Sequence, residues 1–344
     1  MVLWRSPGGE EGMKKMHLVL NGYGTVVRRC SNRIVVECDG ETEEFAVDEV
    51  EQVLIAGAAT VTSGVAALAA EHGIDITVLG QDGMPVGRFV SCTPCGTGLT
   101  RKNQVLGSMG CEGYVFCAGI LRAKIAHMGG LVRVLGRNRN DQGLKEEGKK
   151  IERVAEKMPG QGSLPQSAQV MRVVEAEASR RYFAALRLVI GPEVYHGIRR
   201  HRPAGDVFNA SLNYGYGILY NEVERACLIA GLDPFLGYLH ADRAGRRSFV
   251  YDVIEQFRQP VVDQAVITLA VRRRIRAADL DGRGYLTPDA RRRVAATVID
   301  RLTADRDLGG RVSSFSRAIT ENMRDVVRYL NEGRPYHPFR YRWR

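Results

Sequence analysis

The chain has 344 residues, 44% of them hydrophobic, which is ordinary for a soluble globular protein with room for two cored domains. Charge is uneven: residues 1–90 carry 7 Lys/Arg against 13 Asp/Glu, and residues 91–344 carry 42 against 26. The basic excess implies a polyanionic partner, usually nucleic acid, although an ion-paired surface would leave the same composition, and a chain this large with seven cysteines needs no disulfide framework.

In chain order, residues 1–16 read as a loose extension. They are charged and glycine-rich with no apolar run, so no signal peptide is expected and the protein is expected in the cytoplasm. Residues 17–91 read as a β-rich domain. Leu18–Leu20, Thr25–Arg28 and Arg33–Cys38 are alternating or β-branched runs parted by turn residues, and Phe45–Val47 and Gln52–Ile55 extend the sheet. Gly22-x-Gly24 reads as a hairpin turn, because no helix follows it to make a phosphate loop. Thr62 and Ser63 offer an N-cap, Val65–Glu71 a helix and Gly73 its stop. Ile74–Leu79 and Val86–Val90 close the domain as strands around an Asp82-Gly83 turn. The most apolar stretch, Val53 to Ala70, is broken by Gly57, Thr60, Thr62, Ser63 and Gly64, so it reads as strand, turn and helix and no membrane is expected as a partner.

Residues 92–103 read as a linker of Cys, Pro, Gly and Thr. Cys92-x-x-Cys95 is the suggestive cysteine spacing. Cys111 and Cys117 are six apart and fit no standard zinc knuckle, so the thiols are expected to be free. Residues 104–344 read as a helical domain. Gln104–Met128 with Leu131–Leu135, Gly143–Met158, Gln169–Val189, Asp206–Ala230, Phe249 to Arg274 with a kink at Pro260, Pro288–Leu302 and Val312–Asn331 all carry helical patterns. The tail from Gly333 is aromatic and basic. Tyr214, Tyr216 and Tyr220 fall near one helix face and read as core. Asp279-x-Asp281-x-Arg283-Gly284 starts like a calcium loop, but Arg283 and Ala290 stand where Asp/Asn and a bidentate Glu are needed, so it reads as a connecting hairpin.

Three distant segments carry acidic and histidine side chains: Glu175 in V-E-A-E-A-S-R-R-Y-F, His240 in G-Y-L-H, and Asp252 with Glu255 in Y-D-V-I-E-Q-F-R. Asp252 and Glu255 are three apart on an expected helix and share a face. Oxygen ligands with at most one imidazole suit Mg²⁺ or Mn²⁺ better than zinc. Such an ion in a basic protein is a standard activator of a nucleophile against a phosphodiester. Composition and spacing alone do not join these residues.

Together these segments make the chain, from Leu18 to Trp343, resemble the CRISPR-associated integrases of spacer acquisition, the Cas-one family. Their E-G-x-A-A-[RK]-x-Y-F segment stands here as Glu175 to Phe183, with Ala176 in place of the glycine. Their R-P-x-x-D-x-x-N-A-x-L-N-Y-G-Y block runs intact from Arg202 to Tyr216, G-x-L-H is Gly237 to His240, and D-L-x-E-x-F-R is Asp252 to Arg258. The N-terminal part matches at Ile55–Ser63 and Gly73–Leu79.

The resemblance implies an α+β fold of two domains: an N-terminal β-rich, sandwich-like dimerisation domain and an all-α C-terminal catalytic domain. It implies a homodimer that assembles with the small Cas-two protein on double-stranded or branched DNA, with RNA as a further polyanion. It implies Glu175, His240 and Glu255 as ligands of Mg²⁺ or Mn²⁺. Asp252 is a fourth catalytic residue, ligating or orienting; Glu177, two positions from Glu175, points elsewhere. The implied reaction is attack of a 3′-hydroxyl of a short DNA fragment on a phosphodiester of a CRISPR array, with hydrolysis as the same chemistry from water. Arg202, Arg246, Arg247, Arg258, Arg272, Arg273 and Arg274 are the candidate phosphate contacts, which fix register rather than read sequence. The rival readings are a general metal-dependent nuclease on branched or single-stranded DNA or RNA, and a non-catalytic DNA-binding subunit.

Overall fold

The structure is a computed structural model and describes residues 2–4, 16–20, 22–80, 83–89, 98–201, 203–240 and 244–343. The β-branched runs form β1 (Val2–Trp4), β2 (Met16–Leu20), β3 (Thr25–Cys30), β4 (Arg33–Cys38), β5 (Glu41–Ala46), β6 (Val50–Ile55), β7 (Ala59–Val61), then α1 (Ser63–His72), β8 (Asp75–Leu79) and β9 (Pro85–Phe89). They make a mixed sheet in the order β1-β2-β6-β8-β9 and a second sheet in the order β5-β4-β3-β7. Two expectations change here. Val2–Trp4 pairs antiparallel with β2 rather than lying loose, because β2 otherwise has an open edge. The Gly22–Gly24 turn is no hairpin: β2 and β3 belong to different sheets, so the turn carries the chain from one sheet to the other, with Gly24 at φ +71°. Gly73 ends α1 in the left-handed conformation, as expected of a glycine stop.

Alternation along β2, β6 and β8 sends successive side chains to opposite faces. Leu18, Leu20, Val53, Ile55 and Ile76 join Val27, Ile34, Val36 and Phe45 of the second sheet, with Val65 and Leu68 of α1, in a core between the sheets. Val19, Leu54 and Leu79 belong instead to the core of the helical part. The same outer face carries a polar row. His17 Nδ1 lies 3.1 Å from Gln52 Oε1, Gln52 Nε2 donates to Asp75 Oδ2 (2.7 Å), Thr77 Oγ1 donates to the same oxygen (2.7 Å), and Arg88 Nη1 sits 3.3 Å from Asp75 Oδ1.

The rest is mainly helical: α2 (Gly98–Met109), α3 (Cys111–Asn138), α4 (Gln142–Arg153), α5 (Leu164–Arg187), α6 (Val207–Ala230), α7 (Ser248–Ile254), α8 (Gln264–Val271), α9 (Pro288–Thr303), the short hairpin β10 (Arg306–Asp307) and β11 (Val312–Ser313), and α10 (Phe315–Glu332). The Cys92-x-x-Cys95 spacing lies outside the described residues, and α2 begins at Gly98, inside the expected linker. Helix α3 runs unbroken through Gly129-Gly130 because these glycines let neighbours close in. A side chain at Gly129 would meet the Gly148 backbone of α4, and one at Gly130 would meet the Trp343 ring of the C-terminal tail. Among the described residues α3 is the one helix long and apolar enough to cross a membrane; it is a core helix, and 78% of its most apolar window is buried. Pro260 does not simply kink one long helix. A π-helical turn, Arg258–Asp263, separates α7 from α8, absorbing the hydrogen bond that proline cannot donate. Tyr214, Tyr216 and Tyr220 are buried. At the calcium-like segment Asp281 Oδ1 accepts the amides of Arg283 and Tyr285, and Leu280 bridges Leu286: a hairpin into α9.

Helix α6 meets the polar row of the sheet. Arg88 Nη2 donates to Asn221 Oδ1 (2.5 Å) and lies 3.4 Å from Glu224 Oε2. Arg225 Nη2 pairs with Glu222 Oε1 (2.8 Å) and with Glu51 Oε1 (2.9 Å).

Candidate metal centre

Three elements bring the acidic and histidine segments together. Glu175 lies on the inner side of α5 and is 30% exposed at its side chain, while Glu177 turns outward to Lys157. His240 ends the loop after α6. Asp252 is on α7 and Glu255 caps its end, the i,i+3 pair on one face.

Asp252 is buried and its carboxylate is saturated by the His240 loop. The backbone N–H groups of Tyr238 (2.6 Å) and Leu239 (3.2 Å) donate to Oδ2, that of His240 (3.0 Å) to Oδ1, and His240 Nδ1 lies 2.6 Å from Oδ1. With Nδ1 engaged, Nε2 is the nitrogen left for an ion, the pattern by which a carboxylate fixes the tautomer of a ligating histidine. An Asp252→Asn variant is expected to keep its fold and bind Mn²⁺ about 10–100-fold more weakly, read by electron paramagnetic resonance. Unchanged affinity would remove Asp252 from any orienting role.

The two glutamates are joined by a residue the motifs did not flag. Lys124 of α3 places Nζ 2.5 Å from Glu175 Oε1 and 2.6 Å from Glu255 Oε2. Ser179, one turn on from Glu175, donates to the same Glu175 oxygen (3.2 Å). Glu255 Oε2 is buried and has no properly directed hydrogen bond, so its contact with Lys124 is one of charge. Burial would raise the Glu255 pKa, but the Arg258 and Lys124 charges outweigh it and hold the carboxyl at about 2. It is a carboxylate at any working pH.

A buried, ionised carboxylate paired with Lys124, a second glutamate and an imidazole with one nitrogen tied back are a donor set whose chemistry suits Mg²⁺ or Mn²⁺. The spacing is that of a lysine-bridged arrangement. His240 and Glu255 line one small cavity, Glu175 and Lys124 a neighbouring one of about 410 Å³. Among the described residues no three His, Cys, Asp or Glu side chains stand close enough to share an ion. Lys124 stands between the two glutamates, in contact with both.

The arginines divide. Arg258 is no free phosphate contact: Nη2 reaches Glu255 Oε1 (3.2 Å) and Tyr220 OH (3.0 Å), and its guanidinium lies 4.8 Å over the Tyr216 ring. Arg247 pairs with Glu224, and Arg246 lies over Tyr251. Arg272, Arg273 and Arg274 are exposed at the end of α8. Arg202 is outside the described residues. Sequence reading missed Arg180 and Arg199, which line the 410 Å³ cavity with His201. Behind that cavity, Tyr216 and Tyr182 donate to the two oxygens of buried Asp263 (2.6 and 2.8 Å), a residue delivered by the π-turn.

A family model described as CRISPR associated protein Cas1 matches residues 18–299. The CRISPR-associated endonuclease Cas1 1 of Archaeoglobus fulgidus is 33% identical over 347 residues, covering 95% of this chain and all of the relative. Among solved structures, a casposase bound to integration product has a TM-score of 0.75 at 21% identity, over 94% of this chain and 92% of that one. A Cas6-RT-Cas1–Cas2 complex has a TM-score of 0.77 at 19% identity, over 97% of this chain and 36% of the longer one. At these identities the structural likeness speaks for the fold; the family match and the archaeal relative speak for descent, and the chain belongs to the Cas1 family.

Proposed function

We propose that the enzyme joins a 3′-hydroxyl of a short DNA fragment to a phosphodiester of a CRISPR repeat, using Mg²⁺ or Mn²⁺ held by Glu175, His240 and Glu255. Membership of a family of CRISPR-associated endonucleases makes it a phosphodiester-cleaving and -joining enzyme. The observation that carries the site is the meeting of its separate segments: Glu175 and Glu255 share Lys124, and His240 is pinned by Asp252 beside Glu255.

When bound, the ion supplies Lewis acidity to the attacking hydroxyl and to the phosphate. The chain's own residues do the rest. Asp252 orients His240. Arg258 keeps Glu255 ionised and immobile. Arg180 and Arg199 give the adjoining cavity a positive wall, with Arg199 held in place by Asn209 and Asn213, and Arg272 to Arg274 offer further backbone contacts. Assembly as a homodimer through the N-terminal domains, and with a Cas2 protein, is part of the same reading; the Cas6-RT-Cas1–Cas2 relative supports the second.

The test is strand transfer of a short 3′-OH duplex into a repeat-bearing plasmid, with Mn²⁺, Mg²⁺ or EDTA, alone and with a Cas2 partner. Joining is expected with either metal and none with EDTA. Nicking without joining, even with Cas2 present, would leave a nuclease and defeat the integrase reading.

A further inference from the structure

Lys124 sits among Ile120, Leu121, Ile125 and Met128 on the inward side of α3 and is 3% exposed. A lysine is costly to bury unless its charge is met. Burial pulls its pKa down, but Glu255 and Glu175 more than reverse this, so the group is an ammonium. It touches the same two glutamates that a metal would join.

Both cations do not fit there. Mg²⁺ needs carboxylate oxygens at about 2.1 Å, and the Glu255 oxygen is already 2.6 Å from Nζ. A divalent ion beside Lys124 and Arg258 would also leave two carboxylates facing four positive charges. Arg258 is anchored by Glu255, Tyr220 and the Tyr216 ring. Lys124 has somewhere to go, because it already lines the 410 Å³ cavity. The wall of that cavity carries Arg180 and Arg199 against the single carboxylate of Glu175, so an ammonium swung into it while Glu175 holds the metal is best balanced by an anion there.

Building on the metal reading above, we propose that Lys124 is a tethered cation that holds Glu175 and Glu255 in the metal-free protein, is displaced into the adjoining cavity by the metal, and is received there by a phosphate of the DNA. The ammonium keeps its proton throughout and no covalent bond changes. Metal and DNA therefore bind cooperatively, each favouring the state the other needs.

The experiment is Mn²⁺ binding by electron paramagnetic resonance to the full chain, as wild type, Lys124→Gln and Lys124→Arg, with and without a short DNA duplex. Without DNA, Lys124→Gln is expected to bind Mn²⁺ about tenfold more tightly than wild type. It should also lose most of the gain in affinity that DNA gives the wild type, whereas Lys124→Arg should keep that gain. Equal or weaker Mn²⁺ binding by Lys124→Gln overturns the proposal. Since that variant leaves two carboxylates facing each other and its folding is at risk, wild type carries a second readout. Reductive methylation of Lys124, mapped by mass spectrometry, should be slow without metal and faster at saturating Mn²⁺; unchanged protection overturns the displacement. If wild type binds no Mn²⁺ that His240→Ala abolishes, the metal reading itself falls, and the proposal with it.

Discussion

His240→Ala and Glu175→Ala each lose strand transfer by about a thousandfold while melting close to wild type. A site metal contributes several kcal/mol of charge stabilisation, and each 1.4 kcal/mol is tenfold in rate, so removing a ligand reaches that size. The near-normal melting follows from exposure, since both side chains are about 30% open to solvent. Glu255→Ala is a poorer probe. It is buried and would strand Lys124 and Arg258 together, mixing catalytic and structural losses. Joining assays beside thermal melts make the check. Activity within tenfold of wild type in both variants would dismiss the ligand assignment.

Arg225→Met is the largest expected loss of stability, about 3–5 kcal/mol, because it leaves Glu222 buried without its partner. A drop of about 10 °C in melting temperature follows. Glu222 is 2% exposed and takes Ser316 Oγ as well as Arg225. Burial would raise its pKa, but the Arg225 charge and hydrogen bonds outweigh burial and bring it to about 2. A carboxyl lowered on folding adds stability that is fully present above its unfolded pKa, near 4.5, and lost as pH falls towards 2. The deficit of Arg225→Met should therefore be full at neutral pH and shrink below pH 4.5. A deficit constant across that window would mean that the pair contributes packing rather than charge.

The approach of the acidic and histidine segments to one another was partly legible in their spacing. Asp252 and Glu255 must share a face, and His240 must follow a loop short enough for Asp252 to take its backbone amides. The sequence did not expose Lys124. That residue lies in an apolar helix with no motif around it, and its only signal is a charge in an inward register, between Leu121 and Met128. Arg258 was misread for a related reason. Three positions after Glu255 it suits an ion pair or a phosphate equally, and only the fold shows Tyr216 and Tyr220 enclosing it. Val2–Trp4 gave no local cue, since its strand exists through pairing with β2. Pro260 signalled a break, but not that a π-turn would use the break to place Asp263.

During folding, apolar content alone does not choose how β2, β6 and β8 align, since both of their faces hold large aliphatic side chains. A slip by one residue would exchange the faces and drive His17, Gln52 and Asp75 into the dry space between the sheets, where nothing would satisfy them. In the native alignment these groups satisfy one another within the sheet, and Arg88 also reaches Asn221 of α6, 133 residues away. The N-terminal sheets, first to leave the ribosome, thus present a polar face that α6 covers. Transplanting them onto another helical scaffold would require the polar side of α6 to travel with them, since Asn221, Glu224 and Arg225 meet that face.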